Sequence, residues 1–144
     1  MGKVFKDKPI TEITLRKFER PAGENMRELV RKFCISLGLL QPGDSRDVIV
    51  DILNILINAK KERKILSSVQ IEKEVKAVRT KGVASSNIRR QILRLERIGI
   101  LEKYDKGYRL KEFLSLTEIL EGIKKFIVEP TFDRIKEYAS KIDR

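Results

Sequence analysis

Arginines and lysines gathered between residues 86 and 109 carry the plainest chemistry in this sequence, and that chemistry is the capture of phosphate. Within a predicted helix from Ser86 to Ile98, the apolar Ile88, Ile92 and Leu95 recur at helical spacing on one side. At about 100° per residue, Ser86, Asn87, Arg90, Arg94 and Arg97 fan over the opposite side, with Arg89 on the same helix and Glu96 its only acid. A guanidinium keeps its charge at every physiological pH, and its planar fork matches a phosphate or a guanine edge bidentately. Ser86 and Asn87 stand at the helix N-terminus, where free N–H groups favour anions, and suit either phosphate or base-edge contact. Leu93 is the misfit, projecting outward where a thymine methyl, a hairpin residue or a protein partner would meet it. Lys103, Lys106 and Arg109 follow and suit flanking phosphates or the minor groove, while Tyr104 and Tyr108 are read as packing residues.

What is missing narrows the chemistry further. The chain of 144 residues has no His and one Cys, so the commonest general base and the commonest zinc ligand are both absent. Ser-His-Asp, Cys-His and most catalytic metal sites go with them. Glu72 with Glu74, and Glu118 with Glu121, sit at ordinary helix-surface or capping spacings, and no glycine-rich phosphate loop occurs. The expectation is a non-enzyme without metal, cofactor or small-molecule ligand. Cys34, inside an apolar helical stretch, is expected as a small buried core residue rather than a redox sensor.

The charge is unevenly spread. Residues 60–110 hold 15 basic and 6 acidic side chains, against 10 and 8 in residues 1–59 and 7 and 7 in residues 111–144, so this third carries most of the net +11. A solvated heat-adapted surface would intersperse both signs; concentration in one stretch is the footprint of a nucleic-acid partner. Few amides, many Ile, Lys and Glu and no Trp nonetheless lean toward a thermophile-like source. No apolar run reaches the roughly 18 to 20 residues of a membrane span, so a soluble, cytoplasmic, nucleoid-associated protein is expected.

These side chains need a scaffold, and the sequence outlines one. Residues 1–23 suggest a basic arm (Met1 to Pro9) and a short strand over Ile10 to Phe18, with Ile13 and Leu15 on one side. Asn25 and Glu28 open a helix expected over 24–41, striped by Met26, Val30, Phe33, Leu37 and Leu40. Gln41-Pro42-Gly43 stops it, and Asp44 or Ser45 caps the next. Val48 to Ala59 is apolar on nearly every side and must be central. Ile65 and Leu66 suggest a two-residue strand, Ser67 with Gln70 a capping box, and Ile71, Val75 and Val78 the buried side of a third helix. Gly82 marks a turn, with Ser85 or Ser86 capping the fourth helix and Gly99 closing it. Ile100 to Tyr104 and Gly107 to Leu110 form a predicted hairpin turned by Asp105-Lys106-Gly107, the glycine taking positive φ. Ser115 with Glu118, stapled by Leu114 and Ile119, starts another helix that Pro130 should end, leaving a last one marked by Phe132, Ile135, Tyr138, Ala139 and Ile142.

Residues 44–111, with Gly82-Val83-Ala84-Ser85 entering the fourth helix and Leu95-Glu96-Arg97-Ile98-Gly99-Ile100-Leu101 leaving it toward Gly107-Tyr108-Arg109-Leu110, resemble the winged helix-turn-helix DNA-binding domains. The resemblance implies a mainly α fold with a small β-hairpin wing and flanking N- and C-terminal helices, residues 86–98 being the recognition helix. One helix before the domain and two over 112–144 make the layout of residues 24–144 similar to MarR-like regulators, whose terminal helices build a dimer; Val30, Phe33, Leu120, Ile123 and Ile135 are the candidate dimerisation positions. The function this implies is a sequence-specific double-stranded DNA-binding homodimer, a transcriptional regulator. The alternatives are a winged-helix protein-protein interaction module and a nonspecific architectural nucleic-acid binder.

Overall fold

A computed structural model describes residues 7–144. It is mainly helical with one two-stranded antiparallel hairpin. The expected arm lies outside the described residues as far as residue 6, and Asp7 to Pro9 are exposed. Ile10 to Phe18 forms no strand. Arg16 ties this stretch to the end of the first helix and the loop behind it instead: its N–H donates to the Ser36 carbonyl at 2.8 Å, and its guanidinium to the carbonyls of Ile35 at 2.9 Å and Leu40 at 3.2 Å. Ile13 packs on the core, but Leu15 is exposed.

α1 (Met26–Ser36) starts at Asn25 as its sequence predicts, the Asn25 side chain accepting from the Glu28 N–H at 2.9 Å while its amide donates to the Glu28 carboxylate at 2.7 Å. It stops five residues short of the expected end, and Leu37, Leu39 and Leu40 enter the core from the loop. Gly38 (φ 72°) makes that exit possible, since a Cβ there would lie 2.5 Å from the Thr14 Cβ. Met26, expected in the buried stripe, is exposed.

α2 (Val48–Lys61) is the central helix. Val48, Ile49, Val50, Ile52, Leu53, Leu56 and Ala59 are buried, and the helix packs against α1, both following helices and the hairpin. Each large aliphatic side chain taken from water there contributes about 1.5–3 kcal/mol. Neither Asp44 nor Ser45 caps it. Asp44 accepts from the Arg46 N–H at 2.9 Å, and Asp47 occupies the cap position with its carboxylate turned to Arg79 at 3.0 Å and Arg27 at 3.2 Å. Those two arginines also meet Asp51, so α1, α2 and the end of the third helix are joined by one ion network.

Leu66 makes a single antiparallel bridge with Tyr108, where a two-residue strand was expected. α3 (Ser68–Val78) begins with the Ser67–Gln70 capping box and buries Ile71 and Val75, whereas Val78 is exposed. α4 (Ser85–Ile98) buries Ile88, Ile92 and Leu95 and ends at Gly99 (φ 92°). Its N-cap position falls on Ala84, so neither expected serine caps it: Ser85 is already helical and donates to Glu72 of α3, and Ser86 is exposed.

β1 (Leu101–Tyr104) and β2 (Gly107–Leu110) pair from Leu101 with Leu110 to Tyr104 with Gly107. The turn takes positive φ at Asp105 (47°) and Lys106 (65°), not at Gly107. Two left-handed residues are what a two-residue hairpin turn requires. Gly107 is needed for another reason: a Cβ on it would lie 2.6 Å from Ile65 Cγ2 and 2.9 Å from the Leu66 carbonyl oxygen. After the hairpin, Lys111–Phe113 form a tight turn with Glu112 (φ 52°) and Phe113 (φ 56°) both left-handed.

α5 (Leu116–Ile123) starts on the Ser115–Glu118 capping box and buries Ile119 and Ile123. Pro130 does not end the helix it follows. A π-helical turn, Lys124–Val128, continues α5 straight into α6 (Glu129–Ile142), with helical φ/ψ at Lys124 and Val128 and the Glu129 N–H donating to the Lys124 carbonyl. The widened turn absorbs the N–H that proline lacks, so one rod of about 40 Å replaces the two expected helices. None of the α6 residues is buried, and Phe132, Ile135, Tyr138 and Ile142 are 59–81% exposed. Of the expected dimerisation positions, Val30 and Ile123 belong to the core, Phe33 and Leu120 pack against it, and Ile135 alone is exposed.

Candidate nucleic-acid interface

α4 is held by its buried stripe, which fixes which side chains face outward. Ser86, Arg89, Arg90, Leu93 and Arg97 are exposed along it, so two of the three arginines expected on the outer face are there. Arg94 is not. It folds back half-buried, donating to the Gln91 side chain at 2.8 Å and to the Gly38 carbonyl at 3.3 Å. The reason is a distant partner: Arg94 lies at the edge of the outer face, where the exit loop of α1 presents the Gly38 carbonyl to it.

Asn87 is likewise engaged. Its amide donates to the Gly82 carbonyl at 3.0 Å, and its oxygen accepts from Arg90 at 2.7 Å and Gln91 at 3.3 Å. It locks the turn entering α4 and aims Arg90, rather than offering its own edge to a base. A side chain so held loses less rotamer freedom on binding. On the α3 flank, Glu72 is held below the usual carboxylate range, chiefly by the Ser85 hydroxyl and then by Lys76, and joins the two helices around the turn.

In the hairpin, Lys103 and Lys106 are exposed, the latter at the tip. The tip stands beside Ser67 and Ser68 at the start of α3, around an open cleft of about 400 Å3. Arg109 is occupied: it pairs with Glu102 at 2.8 Å, and its guanidinium lies 3.7 Å from the Tyr104 ring centroid and 4.9 Å from that of Phe113. This sandwich holds the strained Glu112–Phe113 turn, whose Glu112 N–H also donates to Glu102 at 2.9 Å. Tyr108 packs against the core, and half-exposed Tyr104 covers Arg109.

Of the nine candidate contact residues, Ser86, Arg89, Arg90, Arg97, Lys103 and Lys106 therefore stand on the surface, while Asn87, Arg94 and Arg109 belong to the fold. One cation was missed. Arg46, its side chain 91% exposed, borders the same cleft as Arg90 and Arg94. Its sequence signal was weak, a lone arginine after a Pro-Gly turn beside two aspartates. Among the described residues no group of three or more His, Cys, Asp or Glu is placed to hold a metal ion, and no helix is long and apolar enough to cross a membrane. Cys34 is fully buried, and burial pushes its thiol up to about 12. No protein family, curated protein or solved structure matches this chain.

Proposed function

We propose that the chain is a winged helix-turn-helix protein that binds double-stranded DNA sequence-specifically as a homodimer and regulates transcription. The observation that carries this reading is the exposed ridge of α4, on which Arg89, Arg90 and Arg97 stand beside Ser86. A major groove is wide enough to admit one helix, and its walls are phosphates. Arg90, aimed by Asn87, supplies base-edge contact; Arg89, Arg97 and the hairpin lysines supply phosphate contact. α6 supports the dimer. Phe132, Ile135, Ala139 and Ile142 follow the alternating three- and four-residue spacing of a helix seam, and the chain itself does not cover them. Two α4 helices related by a two-fold axis would meet half-sites about one helical turn apart.

The experiment is selection of binding sites from random duplex DNA at about 150 mM salt, with affinities for the winner and a scrambled duplex compared across a salt series. A two-fold symmetric motif preferred by at least about a thousandfold is expected. Arg90→Ala should cost about 1–3 kcal/mol on the selected duplex, and Lys106→Ala should weaken both duplexes alike. Steep salt dependence without a motif would make the protein an architectural binder. Leu93, 42% exposed among the arginines, favours a second reading as a protein-docking module. Absence of duplex binding, with a partner lost on Leu93→Glu, would establish that one.

A further inference from the structure

Between the α1–α2 loop and the flank of α4 lies an open cleft of about 290 Å3, and three arginines, Arg46, Arg90 and Arg94, line it. Arg90 and Arg94 stand one turn apart on α4, Arg46 comes from the α1–α2 loop, and Asp44 is the one acid that lines the cleft with them. Each is steadied by a neighbour. Arg90 donates to Asn87 at 2.7 Å, Arg94 to Gln91 at 2.8 Å and to the Gly38 carbonyl at 3.3 Å, and Arg46 to Asp44 at 3.3 Å through Nε. A guanidinium has five N–H donors, so these bonds orient the groups without exhausting them. Asp44 is itself held low, first by the Arg46 N–H, and offsets only one of the three positive charges. A cleft with surplus positive charge and oriented, forked donors is complementary to a tetrahedral oxyanion.

We propose that this cleft is a phosphate site and that it takes a backbone phosphate beside the segment in contact with α4, with Arg46 as the clamp; the source of the phosphate rests on the DNA-binding reading. Arg46 can serve because its own side chain is 91% exposed and held by a single ion pair, to the half-buried Asp44, which it can exchange at small cost. A phosphodiester bound there fixes the register of α4 without reading sequence.

The test uses the full chain. Arg46→Ala is expected to weaken the selected and the scrambled duplex alike, about tenfold, and to lower the salt slope by about one. Asp44→Asn, which removes the competing carboxylate, should tighten both a few-fold. Melting temperatures of the two variants are compared with the parent chain, so that a loss of fold is not mistaken for a loss of contact. If duplex binding and its slope are unchanged in Arg46→Ala while Arg90→Ala still weakens the selected duplex, the cleft is no site and the α4 reading stands. If the parent chain binds no duplex, pyrophosphate is titrated while the arginine Nε resonances are followed. Saturable shifts at Arg46 and Arg90, lost in Arg46→Ala, would retain a phosphate site fed by a small phosphorylated ligand. No shift would overturn the cleft together with the DNA reading.

Discussion

Gly107→Ala should unfold the protein more easily than any other single methyl addition at a glycine without positive φ. The added carbon would lie 2.6 Å from Ile65 Cγ2, 2.9 Å from the Leu66 carbonyl oxygen and 3.0 Å from its carbon. Two of these atoms are backbone, so a rotamer change cannot relieve the clash. The strand residue Tyr108 and Leu66 must separate, and their two hydrogen bonds, 3.1 and 2.8 Å, lengthen or break. Overpacking of this kind costs about 1–3 kcal/mol, and loss of one of the two backbone bonds while the other lengthens costs about 1 kcal/mol more, giving about 2–4 kcal/mol in all. For a chain of this length that is a fall in Tm of about 5–15 °C. Urea unfolding followed by circular dichroism measures it, and amide exchange at Leu66 and Tyr108 shows whether the bridge opens. Gly23→Ala is the control, because nothing lies within 4 Å of a Cβ there, and it should be neutral within about 0.5 kcal/mol. Equal stability of the Gly107 and Gly23 variants would refute the argument that the hairpin is pinned by this close approach.

Two further outcomes follow from buried groups. Asp47 is only 8% exposed; burial pushes its carboxyl up, but hydrogen bonds from Arg27 and Arg79 outweigh that and hold it below the ordinary carboxylate range. Asp47→Asn should lose about 1–2 kcal/mol at neutral pH, with Asp51 still present to meet both arginines. Since the folded pKa is the lower one, that stabilisation is full above about pH 5 and fades as pH falls through the folded value, so parent and variant melting temperatures should converge in acid. A gap that widens in acid would contradict the assignment. Cys34, its thiol near 12, holds a thiolate fraction of about 10⁻⁴ at pH 8 and should resist a disulfide reagent until the protein is unfolded. Stoichiometric labelling of the native chain would show the core to be open there.

Features written in short-range chemistry were legible in the sequence. Asn25 with Glu28, Ser67 with Gln70 and Ser115 with Glu118 each pair across one turn, so their helix starts need no knowledge of the rest of the fold. The apolar Val48–Ala59 run could only be central, and the hairpin followed from alternation and a turn. What escaped depends on distant partners. Arg94 turns inward because Gly38, 56 residues away, presents a carbonyl, and Arg109 is occupied because Phe113 adopts a left-handed backbone that no local rule favours. Ser85 looked like a cap and instead serves Glu72. At Pro130 a sound local rule lost to a helix that widened by one residue. Within the candidate interface, helix and hairpin were recognisable, whereas the division into exposed and engaged cations was not, because burial by loops is decided in three dimensions.

The π-helical turn at Lys124–Val128 also fixes a phase. One extra residue in a turn rotates everything beyond it by about 100° around the axis relative to an uninterrupted α-helix. The apolar seam of α6 thus points where it does relative to the buried Ile119 and Ile123 because of a residue count, not because of any contact it makes itself. Closing the turn into an ordinary α-helical one with no residue removed would leave both helices intact and swing the seam by about a quarter of a revolution, whereas removing one residue along with the bulge would leave its direction unchanged. The direction in which α6 offers its apolar side is therefore set independently of that side's composition, and the two can vary separately.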